Sequence, residues 1–145
     1  MIKLKQVSKV YPTGVKALQG LNLEVQAGEF VFLVGPSGAG KSTLMKLLYR
    51  AEEPSSGQVL VGGVDITRLS PSQMPGLRQR IGVVFQDYKL LPQRTVFENV
   101  AFALKVLGVS RVEMQKRVRS ALDLVGLRDS ADCLPHQLSG GQQQR

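Results

Sequence analysis

Apolar and polar side chains alternate from Ile2 to Val7, which puts one face of an extended segment in a core and the other in water and predicts a half-buried strand. Tyr11-Pro12-Thr13-Gly14 is turn chemistry, and Leu18 to Val25 reads as a second strand. The run Phe30-Val31-Phe32-Leu33-Val34 is apolar at every position. An antiparallel strand with one wet face has no use for that pattern, whereas a central parallel strand is covered on both faces, so a parallel sheet is expected around it. Ile81 to Phe85 is a second candidate of the same kind. Thr43 to Tyr49 has helical spacing, Glu53 to Gly57 ends it, and Gln58 to Val61 is a short strand followed by a Gly62-Gly63 reversal.

Ser70 with Gln73, Thr95 with Glu98 and Ser110 with Glu113 have capping-box spacing, in which a hydroxyl and a Glu or Gln side chain three residues on satisfy each other's orphan backbone amides. Helices are therefore predicted after Ser70, over Val96 to Leu107 and over Arg111 to Val125. In the last of these Met114, Val118, Ala121, Leu122 and Val125 form an apolar stripe, opposite Arg111, Glu113, Lys116, Arg117 and Arg119. The pattern as a whole is α/β, with a helical middle and no internal repeat.

With 145 residues, 43% of them hydrophobic and 21% charged, the chain can build a core and is not a disordered tail. Its apolar runs fall well short of the roughly 20 residues that cross a bilayer, and Met1-Ile2-Lys3-Leu4-Lys5 has no signal-like apolar region. A cytoplasmic place is expected, peripheral to a membrane only where a partner holds the chain there. The single cysteine, Cys133, has no metal-type spacing around it and is assigned no chemistry. A formal net charge of +8 raises the question of nucleic acid. The cations are scattered, however, and their densest group lies on the polar side of a predicted helix, so a solvated face accounts for them and no nucleic-acid partner is expected.

The chemistry is concentrated in two short motifs. Gly35-Pro36-Ser37-Gly38-Ala39-Gly40-Lys41-Ser42 fits G-x-x-x-x-G-K-[ST] between an apolar run and a predicted helix. Glycines let backbone amides turn inward around a polyphosphate, the helix offers its positive end, and Lys41 brings a mobile cation to the β and γ phosphates. Ser42 would hold Mg²⁺ through its hydroxyl. Far along the chain, Leu138-Ser139-Gly140-Gly141-Gln142 pairs capping residues Ser139 and Gln142 around two glycines, a second helix start open to an anion. One nucleotide is most easily touched by both helix starts if two copies face each other.

A phosphate loop followed by Leu-Ser-Gly-Gly-Gln resembles the nucleotide-binding domain of ABC ATPases, and the resemblance runs over all 145 residues. It implies a P-loop NTPase core with an N-terminal antiparallel β subdomain and a helical subdomain. The corresponding division is 1–90 for the β subdomain and phosphate-loop core, 91–138 for the helical subdomain, and 138–145 for the signature and the start of its helix. The family implies that Tyr11 stacks on adenine and that Gly35, Pro36, Ser37, Gly38, Ala39, Gly40, Lys41, Ser42 and Thr43 bind ATP. Ser42 and Gln86 would hold Mg²⁺, with Lys41 and Gln86 supporting catalysis. Leu138, Ser139, Gly140, Gly141 and Gln142 would reach the ATP of the opposite subunit of a homodimer.

The stretch Phe85 to Ala101, with Asp65-Ile66-Thr67-Arg68-Leu69, is most similar to the cell-division branch of the family, whose ATPase works with the integral membrane protein FtsX. That implies an FtsX-like partner and a place on the inner face of the cell membrane, with Val96 to Leu107 facing the partner and Val100 and Leu104 in the core. Branches for lipoprotein release or export share the general pattern. Soluble members of DNA repair or translation usually carry a coiled coil or second domain. His136, the only histidine, is expected to be a loop residue, because the family's switch histidine comes later in the chain. Hydrolysis in the family also needs an apolar strand ending in Asp-Glu, and the sequence has none before Arg145. The expectation is thus a partial sequence, incomplete at its C-terminus, that alone hydrolyses ATP negligibly and tends to aggregate.

Overall fold

In the computed structural model, which describes residues 1–145, the first hairpin forms where the alternation predicts it. Strands β1 (Ile2–Val10) and β2 (Lys16–Val25) pair antiparallel, closed by a turn in which the Gly14 amide donates to the Tyr11 carbonyl at 2.8 Å. Helix α1 (Lys41–Leu48) follows, then β3 (Ser56–Val61) and the short β4 (Val64–Asp65), joined through Gly62-Gly63. The sheet has the order β2-β1-β3-β4 and every pairing in it is antiparallel.

Register breaks on both sides of β1 near Gln6, whose φ is +49°. Asn22 Oδ1 accepts the Gln6 amide at 2.9 Å, so the bulge leaves no donor unpaired. Gly57 crosses the bulge on β3, and a Cβ there would lie 2.3 Å from the Gln6 carbonyl oxygen. Only glycine fits so close a backbone approach.

The first of two units, Met1–Gly82, is built on this sheet. Its core is Leu4, Val7 and Val59 from the sheet, Leu44 and Leu47 from α1, and Ile66 and Leu77. Arg50, in the left-handed region at φ +56°, ends the α1 turn and sends its guanidinium to the Ile66 carbonyl at 2.9 Å. Arg78, the last residue of α2 (Met74–Arg78), reaches back to the Arg50 carbonyl at 2.9 Å. Arg78 thus serves a carbonyl just past the C-terminal end of α1, where the helix dipole favours a cation, while Arg50 ties that end to the Ile66 carbonyl.

The second unit, Val83–Arg145, holds α3 (Val96–Val106), α4 (Arg111–Leu124) and α5 (Gly140–Gln144). Val96, Ala101, Val118, Leu122 and Leu127 form its core, with Met114 and Val125 packed against them, as the stripe on α4 predicts. Thr95 and Glu98 complete the expected box at 2.9 and 3.2 Å. At α4 only half a box forms, because the Glu113 carboxylate turns to Arg117 at 2.6 Å instead of reaching back.

One expectation fails. Phe30–Val34 and Ile81–Phe85 belong to no strand, so the parallel layer is not formed by these residues. Phe30 and Val34 are 83% and 88% exposed, and the Phe30 and Phe32 rings meet edge-on at 4.9 Å along one side of the extended chain. An apolar run becomes a central strand only when hydrogen-bonded neighbours flank it. The antiparallel sheet offers residues 30–34 no such place.

Candidate nucleotide-binding site

The phosphate loop leads into α1, whose N-cap is Gly40 at φ 86°, ψ 3°. A Cβ on Gly40 would sit 2.4 Å from the Ala17 carbonyl oxygen, so the end of the loop is seated against β2. No side chain caps the helix and no acidic residue occupies its first turn. The first amides of α1, orphaned by helix geometry, are therefore left to an outside acceptor at the positive end of the dipole.

Lys41 curls over the loop, its ammonium donating to the Gly35 and Pro36 carbonyls at 2.7 and 2.6 Å. Both acceptors are neutral. An arriving phosphate oxygen offers a charge-assisted bond about twice as strong, so Lys41 can exchange partners with a net gain. Pro36, Ser37, Gly38, Ala39 and Ser42 are exposed, while Thr43 is buried beneath them. The Ser42 hydroxyl is a hard oxygen donor at the mouth of the loop. That fits Mg²⁺, which takes one or two protein oxygens and completes its shell with phosphate and water.

Tyr11 lies in the turn after β1, and its hydroxyl meets Thr43 Oγ1 at 3.2 Å. The fold thus brings together Tyr11 and the phosphate loop, which the sequence separates. Sequence reasoning missed Lys9, whose ammonium lies over the Tyr11 ring at 5.1 Å from its centroid. Its position two residues before Tyr11, on the same side of an extended chain, was the available signal.

The other proposed residues belong to the second unit. Gln86 is exposed in the segment that precedes α3. Asn99, also missed, clamps that segment: its Oδ1 accepts the Leu91 amide at 2.7 Å, and its Nδ2 donates to the Arg94 and Thr95 carbonyls, each at 3.0 Å. Ser139 caps α5 in a reciprocal pair with Gln142, at 2.9 and 3.3 Å, leaving Gly140 and Gly141 exposed. Leu138 packs against the core of the unit, and Gln143 donates to the Pro135 and Leu138 carbonyls at 2.9 and 3.1 Å. His136 is exposed in the short turn Pro135–Gln137 and carries no bond that would prepare it for proton transfer.

Several carboxyls are shifted by the ion pairs and caps they form. The Thr95 amide and then Arg94 hold the Glu98 carboxyl below its ordinary value, Arg117 does the same for Glu113, and Lys9 for Glu52.

A family model described as ABC transporter matches residues 18–145. The cell division ATP-binding protein FtsE of Bacillus subtilis (strain 168) is 54% identical over 145 residues, which is all of this chain and 64% of that protein. Among solved structures, the dimeric bacterial ABC transporter cassette MJ0796 superimposes with a TM-score of 0.90 at 38% identity, over 99% of this chain and 65% of that one. The same cassette in a dimeric post-hydrolysis state bound to ADP and Pi gives a TM-score of 0.90 at 37% identity, with the same coverage. The chain therefore spans about two thirds of the length of the proteins it resembles.

Proposed function

The chain belongs to the ABC transporter family, and from that premise we propose that it carries the ATP-binding part of an FtsE-like ATPase subunit that drives an FtsX-like membrane partner in cell division. The observation that carries the nucleotide assignment is the Gly40 seat: an uncapped helix start free of acidic residues, with the Lys41 ammonium parked on two loop carbonyls. The cell-division assignment rests on 54% identity to FtsE over the whole chain.

On binding, the α1 amides and Lys41 take the phosphate oxygens, and the Tyr11 ring takes the adenine plane. Ser42 is the residue of the phosphate loop that would hold Mg²⁺, which when bound neutralises charge on the phosphates; Gln86 is offered as a ligand on the family resemblance alone. The Ser139 cap presents the Gly140 and Gly141 amides to the nucleotide of a second copy, so binding and dimerisation are one event. A subunit of this kind sits at the inner face of the membrane through its partner. On α3, Val100 and Leu104 pack into the core while Phe102 and Val106 are exposed, which leaves an apolar pair for that contact. What we assign to these 145 residues is ATP binding.

Lys41→Ala tests the reading. Losing two charge-assisted bonds to phosphate should weaken ATP binding by the whole protein about a hundredfold, measured by calorimetry with magnesium. Unchanged affinity would remove the phosphate loop from the assignment.

A further inference from the structure

The Tyr11 ring is held from three directions. Its backbone is fixed by the turn, with the Tyr11 amide donating to the Val15 carbonyl at 2.9 Å. Its hydroxyl is tied to Thr43, which is buried one residue past Ser42. Over the ring lies the Lys9 ammonium. Lys9 is no loose surface cation: its side chain is 12% exposed, and the ammonium donates to the Glu53 carbonyl at 2.8 Å and to Glu52 Oε2 at 2.8 Å. The Glu52 carboxyl is held below its ordinary value by that bond, so the anchor is charged near neutral pH.

We propose that Lys9 is a positioning residue for the nucleotide base, clamped by Glu52 and the Glu53 carbonyl so that its ammonium backs one face of the Tyr11 ring and fixes the plane offered on the other. This inference rests on the reading that Tyr11 stacks on adenine. Two physical effects follow from the arrangement. The first is orientational: with hydroxyl and one face both engaged, the ring loses little rotamer freedom when a base arrives, and less of the stacking energy is spent on ordering it. The second is electronic. An ammonium behind the ring draws π density toward itself, so the open face favours an electron-rich purine and disfavours a cation. Lys9 touches neither the base nor the phosphates and acts through Tyr11 alone.

The test compares binding of ATP and of inorganic tripolyphosphate, which has no base, by the whole protein. Lys9→Met keeps most of the aliphatic stem and removes the charge. It should weaken ATP by about threefold to tenfold and leave tripolyphosphate unchanged, and Lys9→Arg should restore ATP binding to within about twofold, since a guanidinium can also stack on the ring. In a Tyr11→Ala background Lys9→Met should have no further effect on ATP. Equal weakening of both ligands, no weakening of ATP, or an undiminished Lys9→Met effect without Tyr11 would each overturn the proposal. If Tyr11→Ala alone leaves the preference for ATP over tripolyphosphate intact, the stacking reading itself fails and the proposal falls with it. Should Lys9→Met fail to fold, Glu52→Ala leaves the lysine in place but unanchored. A loss of ATP affinity confined to the Tyr11-containing protein is then expected, and an unchanged affinity would refute the clamp.

Discussion

Gly40→Ala asks how tightly the phosphate loop is seated, and Gly38→Ala supplies its control. Both glycines have left-handed backbone, at φ +86° and +82°. An alanine at either position carries the same conformational cost, about 1–2 kcal/mol. Their surroundings differ. A Cβ at Gly38 meets nothing within 4 Å, whereas at Gly40 it would stand 2.4 Å from the Ala17 carbonyl oxygen and 2.9 Å from Leu18 Cδ2. The leucine methyl can rotate away, but the carbonyl belongs to β2 and moves only with the strand. Forcing that displacement adds about 1–3 kcal/mol, so Gly40→Ala should lose about 2–5 kcal/mol in all. Urea unfolding followed by circular dichroism, in buffer free of nucleotide, reads both values against the parent protein. Equal destabilisation by the two substitutions would mean that β2 yields at no cost, and the seat described for the loop would be wrong.

Other consequences are equally direct. Leu122→Ala should lose about 2–5 kcal/mol, because the side chain is 3% exposed in the α3–α4 core. Leu124→Ala, at 85% exposure on the same helix, should stay within about 0.5 kcal/mol in the same unfolding series. Ser139→Ala removes the α5 cap and should cost about 1 kcal/mol, read as faster amide exchange at Gln142. The Glu98 carboxyl, lowered by the Thr95 amide and Arg94, stabilises the start of α3 above the pH at which an unfolded glutamate ionises. That contribution is lost as pH falls through the depressed folded value. Glu98→Gln should flatten the acid limb of the stability profile, and an unaltered limb would refute the assignment.

The local features are legible in the order of residues alone. Capping pairs at Thr95 and Ser139, the phosphate loop, the alternation of β1 and the apolar stripe of α4 each depend on spacing within one turn or one strand, so one-dimensional pattern suffices to read them. Even there a neighbour can intervene, as Arg117 does by taking Glu113 away from its box. The wholly apolar runs at Phe30–Val34 and Ile81–Phe85 misled because hydrophobicity measures the wish for burial and not the supply of partners. Whether a run becomes a strand is settled by hydrogen-bonding neighbours contributed from elsewhere. That Tyr11 meets Thr43, that Lys9 backs the ring from an anchor on Glu52, and that the Ala17 carbonyl excludes any side chain at Gly40 follow from the packing of the folded chain. These contacts join β1, β2 and the chain around α1 across long sequence separations. No short-range period encodes them, because they exist only once the sheet has brought those segments side by side.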